Sequence, residues 1–267
     1  MPLLPRPVSP LAHFAFAAVP LSFASLAYGQ SGSRDQQPGA KPVAVVELFT
    51  SQGCSSCPPA DKLLATIDQT ARGQQLPVYV LSMHVDYWNS LGWADPYSSK
   101  AFTERQRRYA AAARSTRIYT PQMVVSGRAE FVGSNSRQAG STLNAALKRP
   151  AEATVQLAVS PEATGDAWQV RYTATGAASA DAIVLCLVAD AEAIDVERGE
   201  NRGRQLAHAG VVRALVERPL SGSPTGEARI AWPATQPRGD KPVGVVAFVQ
   251  DPTSMAIKGA ARWQAAN

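Results

Sequence analysis

The sequence predicts an α/β domain, a mixed sheet flanked by helices, followed by a mainly-β, sandwich-like domain. Within residues 42–150, β-branched apolar runs alternate with stretches of helical spacing, the pattern of a parallel-containing sheet covered on both faces. Beyond Arg149-Pro150 the helical period fades, and short apolar runs recur between Gly, Pro and Asp turns over residues 151–267. With 267 residues, 45% of them hydrophobic, the chain can build one large or two modest cores, which excludes a disulfide-stapled miniprotein.

Residues 1–29 read as an export signal. Arg6 supplies a lone positive charge, Leu11 to Leu26 is apolar, and Ser25-Leu26-Ala27 or Ala27-Tyr28-Gly29 offers small residues for cleavage. Pro20 interrupts the apolar run, which is shorter than the roughly 20 residues of a membrane-spanning helix. Export delivers the protein to the periplasm or the medium, where cysteine pairs persist. Residues 30–41, rich in Gly, Ser, Gln and Pro, form a flexible leader.

Val43 to Phe49 is then an apolar, β-branched strand, and Leu63, Leu64 and Ile67 carry a helix that ends near Arg72-Gly73. Val78 to Val85 is a second strand, and "DYWNSLGWADPYSS" an aperiodic aromatic loop. Ser99 to Arg114 is dense in helix formers, with Phe102 and Tyr109 on one face. "PQMVVSGRAEFVG" is a hairpin turning at Ser126-Gly127, and Ser136 to Lys148 a further helix. Strands are expected at Val155 to Ser160, Trp168 to Thr173, Ala182 to Ala189, Val211 to Glu217, Ala228 to Trp232 and Val243 to Gln250. The net charge of +5 is scattered and no basic, aromatic-laced face stands out, so a nucleic-acid partner is not expected. No segment after the signal approaches spanning length, so membrane insertion after cleavage is not expected either.

The chemistry concentrates in "ELFTSQGCSSCPP", where Cys54 and Cys57 stand between a strand and a helix. A sulfur at a helix N-terminus faces unpaired N–H groups and the positive end of the dipole, which favours the thiolate. Cys54 is the expected attacking thiol, and Cys57, one turn deeper, the one that resolves the mixed disulfide from inside the helix. Glu47, seven positions before Cys54, is an acid inside an apolar strand, and burying a carboxylate costs several kcal/mol unless it is paired or protonated. It is either a proton relay for Cys57 or an edge or cap residue facing solvent. Thr120-Pro121, just before the third strand, places its backbone beside the dithiol for an extended substrate if the bond is cis, and is an ordinary turn if trans.

These features together resemble the thioredoxin superfamily over roughly residues 42–150. More narrowly, "VELFTSQGCSSCPPAD", "HVDYWNSLGWADPYS", "TPQMVVSG" and "RGENRGRQLAHAGVVR" resemble domain-of-unknown-function family 1223, exported thioredoxin-like proteins. The resemblance implies a thioredoxin-like fold for that region, with Cys54 as nucleophile, Cys57 as resolving thiol, Glu47 as the buried acid and Pro121 as the proline opposite the dithiol. Gly53 stands where a tryptophan often precedes the first cysteine, Glu47 lies one position further from Cys54 than the usual acid, and Ser55-Ser56 leaves the direction of exchange open.

His84 and Asp86, two apart at the end of the second strand, are expected to point the same way, to stabilise the thiolate or orient substrate, or to serve a purely structural hydrogen bond. Trp88, with Tyr87, Trp93 and Tyr97, either rims the site or packs under the loop. Thr120, Pro121, His84, Asp86 and Trp88 are thus the substrate-binding candidates. Cys186, in "AIVLCLVA", reads as a buried free cysteine, and Arg198 to His208 as a charged, Gly-rich loop that is a solvated turn or reaches the dithiol.

The reading is an exported thiol-disulfide oxidoreductase acting on protein or small thiol and disulfide substrates, with no resident cofactor or metal and a redox partner that recycles it. The alternative is a binding module, either an adaptor with a structural dithiol or a metallochaperone using Cys54, Cys57 and His84 for Cu(I).

Overall fold

The structure, a computed structural model, describes residues 40–190, 193–239 and 243–265. The expected export signal and all of the leader but its last two residues lie outside the described residues. Among the described residues no helix is long and apolar enough to cross a membrane.

Strand β1 (Ala44–Thr50) is buried along its whole length, because it pairs on both sides, parallel with β2 (Val78–His84) and antiparallel with β3 (Gln122–Val125). Between β1 and β2 runs α1 (Pro58–Gly73), which has Cys57 at its N-cap and buries Ala60, Leu64 and Ala71. The aromatic loop follows β2, with one 3-10 turn at Asn89–Leu91, and leads into α2 (Lys100–Ala112), capped by Ser99 accepting from Ala101 N–H. After β3 come β4 (Ala129–Val132) and α3 (Ser136–Ala146).

The hairpin between β3 and β4 turns through Ser126 and Gly127, both at positive φ. A Cβ on Gly127 would lie 1.8 Å from the carbonyl oxygen of Met255, so only glycine fits there. The remaining elements are strands: β5 (Thr154–Pro161), β6 (Ala167–Thr175), β7 (Ala182–Ala189), β8 (Ile194–Asp195), β9 (Gln205–Leu206), β10 (Val211–Pro219), β11 (Thr225–Ala231), β12 (Val243–Gln250) and β13 (Ile257–Gln264).

The expected fold class does not hold. The elements of the first half occur in their expected order, but the protein is mostly β, with three α-helices among the described residues. It is not a helix-flanked, thioredoxin-like α/β unit followed by a sandwich. One eight-stranded mixed sheet, ordered β13-β12-β7-β10-β2-β1-β3-β4, takes four strands from each half. The physical reason is the free edge of β2, which β10 occupies in parallel at Ser82 and Val211. An apolar run reveals that a strand is buried, not which edge it joins, so this pairing left no periodic trace.

Three apolar cores result. The short sheet β11-β6-β5 lays Trp168, Val170 and Tyr172 against Leu185, Leu187 and Val245 on one face of the large sheet. The other face of those same strands offers Val184, Cys186, Val246 and Phe248 to a cluster holding Val45, Phe49, Phe102 and Tyr109. Val46 and Leu48 point the opposite way and pack with Ala60 and Leu64 of α1 and Met123. Each large side chain so buried contributes about 1.5–3 kcal/mol. The alternation along β1 therefore sends its odd-numbered residues toward α2 and its even-numbered ones toward α1.

Candidate functional site

Cys54 and Cys57 are joined as a disulfide, and both are buried, while Ser55 and Ser56 between them are exposed. Cys57 is the N-cap of α1, so it starts the helix rather than lying one turn inside it as expected, Cys54 stands before the helix, and the next two residues are prolines. Pro58 and Pro59 carry no N–H, so two of the donors that a helix N-terminus would offer a thiolate are missing. The donor that reaches Cys54 Sγ is the Ser56 hydroxyl, 3.3 Å away. Cys186 is buried and free, and burial pushes its thiol pKa well above the ordinary value.

The loop that carries the dithiol is held by residues far away in sequence. Asn201, in the hairpin between β8 and β9, donates from Nδ2 to the carbonyls of Gln52 and Cys54, both at 2.8 Å. Its neighbour Glu200 accepts the Ser55 N–H at 3.0 Å, and the Ser55 hydroxyl together with that N–H holds the Glu200 pKa below the usual carboxylate range. The charged segment 198–208 thus reaches the dithiol rather than forming a free solvated turn.

Behind the disulfide lies a buried polar cluster. Asp61, in the first turn of α1, accepts from Thr50 Oγ1 at 2.8 Å, and its Oδ1 stands 3.6 Å from His208 Nδ1. Gln52 links the cluster to the loop: its Oε1 accepts from Trp93 Nε1 at 3.0 Å and its Nε2 lies 3.4 Å from His208 Nε2. The rings of His208 and His84 meet edge to face at 4.6 Å. His84 Nδ1 is 2.7 Å from Asp95 Oδ2, which also accepts the Gln52 N–H at 2.8 Å. Burial alone would raise the Asp95 pKa, but His84 and the N–H groups of Gln52 and Tyr97 hold it below the usual range. For His208, burial opposes protonation, yet the carboxylates of Asp61 and Asp95 outweigh it and raise the pKa.

Glu47 does not stand behind the sulfurs. It is buried on the α2 face of β1, where Arg105 donates from Nε and Nη2 to its two oxygens and the Tyr109 hydroxyl donates as well. Cys57 caps the helix on the opposite face. His84 does not share a partner with Asp86, because β2 ends at His84 and the two-residue period ends with it. Asp86 instead accepts from Thr103 Oγ1 of α2.

Trp88 does border the dithiol loop, since a Cβ on Gly53 would sit 3.4 Å from Trp88 Cβ. Trp88 Nε1 donates to Thr120 Oγ1 at 2.8 Å. Pro121, joined to Thr120 by a cis peptide bond, lies beside Leu48 and Ala60, since a Cβ on Gly133 would meet all three. Of the expected site residues, the structure therefore sets Trp88 beside the loop of Cys54 and Cys57, links Thr120 to it through Trp88 and His84 through Asp95, places Pro121 against Leu48 and α1, and sets Glu47 and Asp86 against α2.

Sequence reasoning missed Gln52, Asp61 and Asp95, and named the segment 198–208 without singling out Glu200, Asn201 or His208 within it. Two signals were present: Asp61 falls on the buried stripe of its helix, four residues from Cys57, and His84 and His208 are the two histidines beyond residue 40. A cavity of about 450 Å³ lined by Tyr109, Arg117, Tyr119 and Glu130 includes neither cysteine. Among the described residues no group of three or more His, Cys, Asp or Glu is arranged to hold a metal ion.

A family described as "Protein of unknown function (DUF1223)" matches residues 45–250. The X-ray crystal structure of an Agrobacterium tumefaciens protein is 29% identical, covers 85% of this chain and 95% of its own, and superposes with a TM-score of 0.59. Two β-glucuronidases, from Ruminococcus gnavus and Bifidobacterium dentium, each align with 43% of this chain at 18% and 17% identity. The aligned part spans 15% and 17% of those enzymes with TM-scores of 0.25 and 0.26, too weak a likeness to bear on fold or function. No curated protein matches the chain.

Proposed function

Since the chain belongs to the DUF1223 family, whose description names no activity, its function must be read from its own site, and we propose that it is a thiol-disulfide oxidoreductase using Cys54 and Cys57. The observation that carries this reading is a three-residue-spaced disulfide set at a helix N-terminus against buried titratable groups. As a staple it would do little. Closing so short a loop contributes about 2 kcal/mol in the chain-entropy picture, against about 3 for a 15-residue loop. A purely structural bond also has no use for Asp61, His208, His84 and Asp95 behind it, whose burial is costly.

In the reducing direction, the Cys54 thiolate attacks one sulfur of a substrate disulfide and the other sulfur leaves as a thiolate. Cys57 then attacks Cys54 Sγ, releases the second substrate sulfur and restores the disulfide, and two electrons have passed to the substrate. A thiol-bearing partner re-reduces the pair, and the same steps reversed oxidise a dithiol. Substrates are protein or small-molecule thiols and disulfides. Any kinship with thioredoxins is proposed for this dithiol chemistry alone. Export is part of the proposal, supported by the pattern of residues 1–29.

The test is thiol trapping of the full chain after equilibration in glutathione buffers, together with insulin reduction by the chain and by Cys54→Ser and Cys57→Ser. Reversible opening of the pair, loss of turnover in both variants and a trapped mixed disulfide on Cys54 in Cys57→Ser are expected. A disulfide that stays closed in excess dithiothreitol under native conditions, or a freed Cys54 that titrates like an ordinary thiol near about 8.5 and reduces nothing, overturns the reading.

A further inference from the structure

We infer that Asp61, held by Thr50 and facing His208, takes the proton from Cys57 when the disulfide closes and returns it when the disulfide opens. This inference rests on the exchange reading above. The Asp61 N–H donates to the Cys57 carbonyl at 3.1 Å, so the two residues are one helical turn apart on the same face. Such neighbours have Cβ atoms about 5–6 Å apart. Helical side chains lean toward the N-terminus, which tilts the Asp61 carboxylate back toward Cys57.

Asp61 is only 6% exposed, and its Oδ2 is buried without a hydrogen-bond partner in the structure. Leaving such an acceptor unpaired costs about 1–3 kcal/mol. The other buried acids near the loop lack this opening. Asp95 is engaged by His84 and by the Gln52 and Tyr97 N–H groups, and Glu47 by Arg105 and Tyr109 on the opposite face of β1.

His208 is oriented to serve Asp61. Trp93 Nε1 only donates, so its partner on Gln52 is the oxygen, and the Gln52 amide nitrogen must face His208 Nε2. In the neutral ring Nε2 is therefore the acceptor and Nδ1 bears the proton. Asp61 Oδ1 is 3.6 Å away, a charge contact longer than a hydrogen bond, so that Nδ1, like Asp61 Oδ2, is buried without a hydrogen-bond partner in the structure. A second proton on Nε2 would oppose the Gln52 N–H, a conflict worth about 1–3 kcal/mol. The charge attraction between ring and carboxylate at this separation is about 4 kcal/mol at an effective dielectric constant near 20, so the pair can carry that proton. The titratable and charged groups that face the pair are His84 from β2, Asp95 and Tyr97 from the aromatic loop and Arg213 from β10.

The proton balance is simple. In closing, Cys57 S–H gives its proton to Asp61, and the Cys57 thiolate attacks Cys54 Sγ. The Cys54–substrate bond breaks, and the departing thiolate takes a proton from the Asp61 and His208 pair or from water. In opening, an incoming thiol gives its proton to the Asp61 and His208 pair and attacks Cys54 as a thiolate, and Cys57 leaves as a thiolate that takes that proton from Asp61.

Stopped-flow reaction of the reduced full chain with Ellman's reagent separates the two steps, since each releases one coloured thiolate. In the wild-type chain the second release should vary little with pH between about 6 and 8, on either side of neutrality, where an ordinary thiol is mostly protonated. In Asp61→Asn the first release should be unchanged. The second should slow at least about tenfold and rise about tenfold per pH unit toward the ordinary thiol pKa near 8.5. His208→Gln should slow the second release at least about threefold with the same steepening, and it carries the test alone if Asp61→Asn does not fold. A second release of wild-type rate and pH profile in a folded variant overturns the inference. No fast first release from the wild-type chain overturns the exchange reading itself.

Discussion

Both sulfurs are buried, so a substrate can reach them only if something moves, and the grip of Asn201 on the dithiol loop predicts what. Asn201 is buried, and its one amide nitrogen holds the carbonyls of Gln52 and Cys54 at 2.8 Å each. In Asn201→Ala both bonds vanish. A net loss of about 1 kcal/mol per bond gives about 2 kcal/mol, which raises the population of the detached hairpin about thirtyfold. The assay is the rate at which a dithiol opens the disulfide under native conditions, with alkylation trapping the freed thiols. A rise of about tenfold or more is expected, and the melting temperature should fall by no more than about 8 °C for a chain of this size. Glu200→Gln should give a smaller rise, because its contact with the Ser55 N–H is at the surface. If Asn201→Ala opens at the wild-type rate, the hairpin between β8 and β9 does not control access, and some other segment must be the one that yields.

Other expectations follow from the same geometry. Glu47→Gln leaves Arg105 as a buried cation without its carboxylate, and denaturant unfolding should show a loss of about 3–5 kcal/mol; unchanged stability with slowed disulfide exchange would restore Glu47 to the redox site. His208 has a raised pKa, first opposed by burial and then carried by Asp61 and Asp95. A raised pKa means that the folded state prefers the protonated ring. That stabilisation is complete below the unfolded value of about 6.5 and is lost as pH rises through the higher folded value. The melting temperature should therefore fall across that window in the wild-type chain but not in His208→Gln, and a parallel fall in both would refute the assignment. Gly127→Ala places a methyl group 1.8 Å from the Met255 carbonyl oxygen at a positive φ, so unfolding should show a loss above about 1 kcal/mol; a neutral substitution would mean that the hairpin is free to shift.

What could be read in the sequence was local. The position of Cys54 and Cys57 between strand and helix depends on a few adjacent residues, and the apolar period of Val43 to Phe49 or Ser99 to Arg114 is visible without knowing any partner. The Gln52, Cys54 and Ser55 contacts depend on residues 145 to 149 positions away. No period carries such information, and for the same reason the pairing of β2 with β10, which turned two expected units into one sheet, was hidden. The direction of Glu47 was also legible in principle. Val45 and Phe49 share its face, and an acid on that face needed a cation in whatever element covered it.

That need points to a way of reading such sequences that goes beyond motifs. Glu47 is an anomaly in an apolar strand, and Arg105 is an anomaly on the buried stripe of α2, alongside Phe102, Gln106 and Tyr109. Burying either charge alone costs several kcal/mol, so each implies the other, and the structure pairs them at 2.5 Å. Asp61 and His208 form a second couple of the same kind, an acid on the buried stripe of α1 and a histidine in a charged loop, now 3.6 Å apart. The two couples differ in one respect. Glu47 has both oxygens engaged by donors, whereas Asp61 keeps Oδ2 free of any hydrogen bond in the structure. A buried pair with both carboxylate oxygens held by donors resists taking up a proton, because each oxygen must give up a hydrogen bond or charge contact to do so. A pair with one open acceptor, a turn away from Cys57, retains the capacity to exchange, and this is why the proposed exchange chemistry takes its acid from α1 rather than from β1.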